Sequence, residues 1–375
     1  MQHKLDLLRQ EGLFRELKPI EQKGALLEYR GDTYLNLSSN DYLGISGKSD
    51  WQKEFIHSLD TDRFLMSASS SRLLTGNAPC TEELEEYIGG LYGKSCLLYN
   101  SGYHANIGIL PALTQKEDLI LADKLVHASI IDGLKLCACE RMRYKHNDYA
   151  DLERLLKRAE GKYRSVFVVT ESIFSMDGDC AELHTLIELK NKYNFVLYVD
   201  EAHAVGVRGE KGLGLVEEYG LIDRVDLIMC TLGKAVASEG AFVVCDKITR
   251  EWLVNTSRSL IFTTATPPIN ILWTLFLMKK IPEMKEERES LNRTVRGFRE
   301  RLSGFNLLGD TQIVPLLLGE NEKSIRMAKR LQSAGIWAMP VRYPSVPKGK
   351  SRIRFSLTAA LTDTQLDKIY ETLLA

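Results

Sequence analysis

From residue 95 to 245 the chain repeats one pattern. Short apolar runs alternate with longer stretches in which apolar positions recur every three or four residues. The runs are Cys96-Leu-Leu-Tyr-Asn100, Leu119-Ile-Leu-Ala-Asp123, Ser165-Val-Phe-Val-Val-Thr-Glu171, Phe195-Val-Leu-Tyr-Val-Asp200, Leu227-Ile-Met-Cys-Thr231 and Gly240-Ala-Phe-Val-Val-Cys245. Successive apolar positions mean that both faces of each strand are covered, as in a sheet with helices on either side. Stretches such as Asp148 to Ala159 and Leu183 to Tyr193 carry helical spacing. The alternation predicts crossover units and a mainly parallel sheet, with Gly240 to Cys245 as a returning strand.

The flanks read differently. Residues 1 to about 30 carry apolar positions at helical spacing (Leu5, Leu7, Leu8, Leu13, Phe14), which predicts an N-terminal helix or arm. Tyr34-Leu-Asn-Leu is a short strand running into the turn Ser38-Ser-Asn-Asp-Tyr-Leu-Gly44. Ser67 to Asn77 is a polar loop, and Thr81 is placed to cap the helix that follows it. Pro267 and Pro268 open a long helix. Beyond residue 270, charged helices at roughly 280–303 and 322–334 alternate with strands at Ile313-Val-Pro-Leu-Leu-Leu and Arg352-Ile-Arg-Phe-Ser-Leu. That pattern predicts a smaller α+β domain with an antiparallel sheet. The expected organisation is an arm over 1–44, a large α/β domain over 45–270 and a small domain over 271–375.

In open α/β sheets, chemistry collects at the carboxyl ends of the strands. Two ends stand out: Asp200-Glu-Ala-His203 and Thr231-Leu-Gly-Lys234. A lysine near a carboxylate on a neighbouring strand suits pyridoxal 5′-phosphate (PLP). The amine forms a Schiff base with the cofactor aldehyde, and the aspartate keeps the pyridine nitrogen protonated. By itself, a lysine after a strand is more often a solvated end residue. Asp-Glu-Ala-His also resembles the magnesium box of an ATPase, which requires G-x-x-x-x-G-K-[ST]. The nearest match, Gly47-Lys48-Ser49, would need a glycine at 42, where Tyr42 stands. Ser101-Gly102-Tyr103, between a strand and a helix, is the geometry that turns backbone N–H groups towards an anion. His127, read alone, is more readily a core histidine than a ligand.

Charge sets limits on partners. The 49 basic and 50 acidic residues leave a net charge of −1, so neither nucleic acid nor a membrane surface is expected. The N-terminus Met-Gln-His-Lys-Leu-Asp lacks an apolar signal core. Seven cysteines without a C-x-x-C pair fit a reducing cytoplasm, with no metal or disulfide framework.

Together these motifs resemble the α-oxoamine synthase family of PLP enzymes, of the aspartate-aminotransferase fold (PLP fold type I). The signposts occur in family order along nearly the whole chain. They are Ser38 to Gly44, Ser71-Arg-Leu73, Thr75-Gly-Asn77, Ser101-Gly-Tyr103, His127-Ala-Ser129, Phe174-Ser-Met-Asp-Gly-Asp179, Asp200 to His203, Thr231 to Lys234 and Thr263-Thr-Ala-Thr-Pro-Pro268. The resemblance implies a seven-stranded, mainly parallel sheet and a homodimer with its site at the subunit interface. It implies Lys234 as the Schiff-base lysine and proton carrier, with Asp200 on the pyridine nitrogen. His203 is implied on the ring hydroxyl and His127 on the ring face. Gly102 and Tyr103 would hold the phosphate through their N–H groups, with Ser175 and Thr231 close by. Thr264 would reach the partner's phosphate. Asn40 and Arg354 resemble the pair that holds an amino-acid carboxylate, and Arg15 and Ser345 are implied as further substrate contacts.

The implied reaction condenses an amino acid with an acyl thioester and releases carbon dioxide. Length, compact ends, Ser71-Arg72-Leu73 with Thr75-Gly76-Asn77 and the tail Val346 to Arg354 resemble those family members that use L-alanine and a pimeloyl thioester, and the resemblance implies these substrates, on coenzyme A or a carrier protein. Ser67 to Ser70 and Ala235 to Ser238 stand where the family often has glycines, and Ala204-Val205 is shared with sister enzymes. Glycine or serine with another acyl group is therefore the alternative.

Overall fold

The computed structural model describes residues 1–11, 13–60, 62 and 65–375. Contacts divide the chain into two units. One comprises Asp50–Phe174 and Cys180–Lys285; the other comprises Met1–Ser49, Ser175–Asp179 and Glu286–Ala375.

The first unit is built on a seven-stranded sheet. Its strands are β1 (Ser95–Tyr99), β2 (Leu119–Asp123), β3 (Glu140–Tyr144), β4 (Val166–Glu171), β5 (Val196–Asp200), β6 (Leu227–Thr231) and β7 (Ala241–Cys245). The spatial order is β1-β7-β6-β5-β4-β2-β3. All pairings are parallel except those of β7, which runs antiparallel to β1 and β6. Every residue of β2, β6 and β7 is buried, as their unbroken apolar character requires. The edge strand β3 carries Glu140, Arg141 and Arg143, charges that discourage further strand pairing. Register brings Glu171 opposite Asp200 and Asp200 opposite Met229, so the carboxyl ends of β4, β5 and β6 lie side by side.

Helix α1 (Gly102–Leu113) follows β1 and helix α2 (Ala128–Leu136) follows β2. Ile109, Leu110, Ile130 and Leu134 join Leu97, Ile120, Val169, Tyr198 and Met229 in one apolar core. The two helices touch because Gly133 has no side chain: a β-carbon there would overlap the Asn106 carbonyl oxygen.

The second unit holds two smaller sheets. Ile313–Gly319, Ser351–Ser356 and Pro340–Val341 form an antiparallel sheet, as expected for the C-terminal region. The N-terminal region differs from expectation. Only Gln2–Gln10 is helical, and Glu21–Lys23, Leu26–Tyr29 and Asp32–Asn36 form an antiparallel meander. Arg30 (φ 54°) and Gly31 (φ 87°) form the two-residue turn between its last strands, where paired positive φ values match strand twist.

Two further expectations are corrected. The helix expected to be capped by Thr81 begins at Pro79, whose fixed φ suits a first turn, and Thr81 is buried. Within the loop expected over 67–77, Arg72–Gly76 winds one wide π-type turn. Arg72 there donates to Glu85 at 2.6 Å and to Asn77 at 2.9 Å. Among the described residues, no helix is long and apolar enough to cross a membrane.

Candidate active site

The ends of β5 and β6 carry the reactive groups. Asp200 is the last residue of β5 and is 3% exposed. His203 lies on the turn after it, and Lys234 lies three residues beyond the end of β6. The half-buried lysine Nζ is 2.8 Å from His203 Nε2. Residues 31 positions apart thus share a hydrogen bond because their strands are neighbours.

Asp200 is surrounded by donors. Asn106 Nδ2 donates to its Oδ2 at 3.0 Å and the Ala202 N–H to its Oδ1 at 2.9 Å. Burial pushes its pKa up; Lys234, those two hydrogen bonds and His127 pull it back. His127 caps α2, accepting from the Ser129 N–H at 3.2 Å. Part of its ring is open to solvent, while protein packed around the rest holds its pKa down. Asp200 opposes that effect and Lys234 adds to it. Asp200, His127 and Lys234 therefore act on one another directly.

Glu201, next to Asp200, points the other way. It is fully buried and accepts from the Leu215 N–H (3.0 Å), the Val216 N–H (2.7 Å) and Ser172 Oγ (2.8 Å). It organises the loop after β5, and a β-carbon on Gly214 (φ 114°) would come within 2.6 Å of its carboxylate. Burial pushes its pKa from 4.5 to about 7. A folded pKa raised above the unfolded one favours the fold at low pH. That contribution is complete below about 4.5 and is lost as pH rises through about 7, about 3 kcal/mol in all. Glu201→Gln is expected to flatten this part of the stability profile, read as denaturant midpoints between pH 5 and 8. An unchanged slope would refute the assignment.

The turn from β1 into α1 offers an anion cradle. Ser101 caps α1, its Oγ accepting from the His104 N–H at 3.2 Å. Among the described residues, no acceptor meets the N–H groups of Gly102 and Tyr103. Gly102 faces Thr231: a β-carbon there would lie 3.6 Å from Thr231 Cβ. Thr231 is 9% exposed, and its hydroxyl donates to the Gly240 carbonyl at 3.2 Å. Thr264 is exposed, and its carbonyl accepts from Asn100 Nδ2 at 2.8 Å, which ties it to the same turn. The Tyr103 hydroxyl donates to Asp132.

The other expected residues lie in the second unit. Arg354 donates to the Ser175 carbonyl (2.6 Å), Ser356 Oγ (2.6 Å) and Asn40 Oδ1 (3.3 Å). All three acceptors are neutral, so none of these bonds brings a counter-charge to this half-buried cation. Arg352, two residues earlier on the same strand, is instead paired with Asp177. Arg15 and Ser345 are both exposed and meet at 3.0 Å, across 330 positions of sequence.

The donor set fits PLP. It combines an amine beside an imidazole, a buried carboxylate held among donors, and open N–H groups at a helix start. Reading the sequence missed Asn106, Ser129 and Tyr198, which surround Asp200 and His127. A polar Asn106 on the buried side of an otherwise apolar helix was the available signal.

Comparison with known proteins agrees. A family model described as aminotransferase class I and II matches residues 32–373. The chain belongs to this family. An 8-amino-7-oxononanoate synthase from Haemophilus ducreyi is 47% identical over 375 residues, covering 97% of each chain. One from Chlorobaculum parvum is 48% identical over 359 residues, covering 94% of this chain and 92% of the relative. A serine palmitoyltransferase from S. paucimobilis, solved with PLP and myriocin bound, superposes with a TM-score of 0.92 at 27% identity. That match covers 99% of this chain and 95% of the other. An 8-amino-7-oxononanoate synthase structure from Francisella tularensis gives a TM-score of 0.76 at 28% identity, covering 91% of this chain and 96% of the other. This class I and II aminotransferase-family chain thus lies among α-oxoamine synthases, with the expected fold type I architecture.

Proposed function

We propose that the protein is a PLP-dependent 8-amino-7-oxononanoate synthase of biotin biosynthesis. It joins L-alanine to a pimeloyl thioester, on coenzyme A or an acyl-carrier protein, and releases carbon dioxide and the free thiol. The observation that carries the reading is near-half identity to such synthases along almost the entire chain.

PLP, when bound, supplies an electron sink for negative charge at the amino-acid α-carbon. The protein's own groups do the rest. Lys234 holds the cofactor and moves the α-proton, and His203, 2.8 Å away, gives its amine a partner for proton exchange. Asp200 keeps a negative charge facing the ring nitrogen. His127 presents its ring face to the cofactor. The N–H groups of Gly102 and Tyr103, with Thr231, receive the phosphate end, Ser175 lies close to the cofactor, and Thr264 reaches the phosphate across the interface of a homodimer. Arg354 and Asn40 take the substrate carboxylate. Arg15 and Ser345 are further substrate contacts. The balanced charge and the unpatterned cysteines support a cytoplasmic enzyme.

A second reading is favoured by one observation. The serine palmitoyltransferase structure superposes with a higher TM-score than the Francisella tularensis synthase. Assays pairing L-alanine, glycine or L-serine with pimeloyl, acetyl or palmitoyl thioesters separate the two. Turnover confined to L-alanine and the pimeloyl thioester supports the first; turnover only with glycine or serine overturns it.

Arg354→Ala is expected to weaken amino-acid binding roughly 10- to 100-fold, the worth of a lost charged hydrogen bond, while PLP uptake stays unchanged. Binding of L-alanine, followed through the visible absorption of the holoenzyme, checks this. An unchanged dissociation constant would remove Arg354 from the substrate site.

A further inference from the structure

Tyr198 and Asp200 are two residues apart on β5, so their side chains leave the strand on the same face. Asn106 of α1 meets both. Ser129 sits in the first turn of α2, one turn before Gly133, where the two helices touch. Asn106, Ser129, Tyr198 and Asp200 are all at most 3% exposed, so bulk solvent does not reach them.

Every proton in this cluster can be placed. The Tyr198 hydroxyl donates to Asn106 Oδ1 at 2.6 Å. A hydroxyl can donate or accept, so it is the acceptor-only Asp200 carboxylate that fixes which way the amide points. Its two N–H groups then go to Asp200 Oδ2 at 3.0 Å and Ser129 Oγ at 2.9 Å. Ser129 Oγ has accepted one hydrogen, and its own turns to His127 Nδ1 at 2.8 Å. The Ser129 N–H reaches the same nitrogen at 3.2 Å. With two donors aimed at Nδ1, the neutral ring carries its proton on Nε2. Asp200 receives donors on both oxygens, from Asn106 and the Ala202 N–H, which is the environment of a carboxylate rather than an acid.

We propose that Asn106 is a positioning residue which holds Asp200 as an anion and, through Ser129, holds His127 as the Nε2-protonated tautomer. One amide, whose oxygen is occupied by Tyr198, sets the state of both groups assigned to the cofactor ring. The proposal rests on the PLP assignment above for what Asp200 and His127 face, but the hydrogen-bond chain belongs to the protein alone. It adds Asn106, Ser129 and Tyr198 to the site as groups that act through Asp200 and His127. Lys234, His127, Tyr198, Cys230 and Glu201 interact electrostatically with Asp200, and Asp200 and Lys234 with His127. None of them provides the donor that Asn106 supplies to Asp200 Oδ2.

The test uses full-length holoenzyme with nitrogen-15 in histidine and in the pyridine ring of PLP. Wild type, Asn106→Ala, Ser129→Ala and Ser129→Thr are followed by NMR from pH 5 to 9. In wild type, His127 Nδ1 should have the shift of an unprotonated nitrogen at pH 7. Ser129→Ala should mix the tautomers, and Ser129→Thr, which keeps the hydroxyl, should restore the wild-type shift. Asn106→Ala should lower the pH at which the pyridine nitrogen loses its proton by about one to two units. Unchanged midpoints and an unchanged His127 tautomer in folded Asn106→Ala would overturn the proposal. If that variant does not fold, identical His127 shifts in the two Ser129 variants would overturn it. A wild-type protein that takes up no PLP would instead overturn the cofactor assignment, and the histidine shifts of the cofactor-free chain would then decide the tautomer claim.

Discussion

Lys234→Ala is expected to lower turnover by at least about 10⁴-fold while leaving a folded protein. The amine is the one group at the ends of β5 and β6 suited to both covalent attachment and repeated proton transfer. It lies 2.8 Å from His203 Nε2, and its environment is shared electrostatically with Asp200 and His127. On the proposed assignment, its removal deletes the proton carrier rather than shifting it. The cost to stability is small. Lys234 is only half-buried and follows β6 in a loop, while Leu232, Ala235 and Val236 around it supply the buried contacts. A change within about 1 kcal/mol is expected, typical of a substitution that opens no core cavity. The measurement is thiol release from a pimeloyl thioester with L-alanine, alongside the visible spectrum of protein reconstituted with PLP. Wild-type turnover, or a retained absorption band of lysine-bound cofactor, would end the assignment of Lys234.

Much of this arrangement was legible in the sequence because strands buried on both faces write themselves as unbroken apolar runs. β5 and β6 could be recognised that way, and the rule that chemistry gathers at carboxyl ends then singled out Asp200 and Lys234. Their partners were harder to read. Asp200 and Glu201 are adjacent and chemically alike, yet one enters the site and the other caps a loop through Leu215 and Val216. Only the direction of the chain beyond the strand end distinguishes them. Asn106 and Ser129 were missed for a related reason. Their importance comes from the packing of α1 on α2 at Gly133, a contact between segments that no local periodicity reports. The N-terminal region misled in the opposite sense. Leu5, Leu7 and Leu8 do lie in the helix Gln2–Gln10, but the helical reading runs on to about residue 30, where Glu21–Lys23 and Leu26–Tyr29 are strands and the Arg30-Gly31 turn pairs the second with Asp32–Asn36.

Asp200→Asn is expected to lower turnover about 10²- to 10³-fold with no loss of thermal stability, and possession of both properties separates function from structure. The carboxylate is 3% exposed, and its burial is unfavourable to the charged form. A protein selected for stability alone gains nothing from an anion there, since a neutral isostere avoids the desolvation. The amide does place N–H groups near the donors of Asn106 or Ala202, so part of that gain is offset by one mismatched hydrogen bond, worth about 1–3 kcal/mol. The unfolding midpoint should therefore stay close to that of wild type. Activity should not, because the proposed function gives that charge the task of holding the ring-nitrogen proton. His127 reports the same loss independently: Asp200 opposes the lowering of its pKa, so the variant's imidazole should titrate at lower pH than wild type. A variant that keeps wild-type turnover, or one in which His127 titrates higher, would show that Asp200 does not act as the anion of this site.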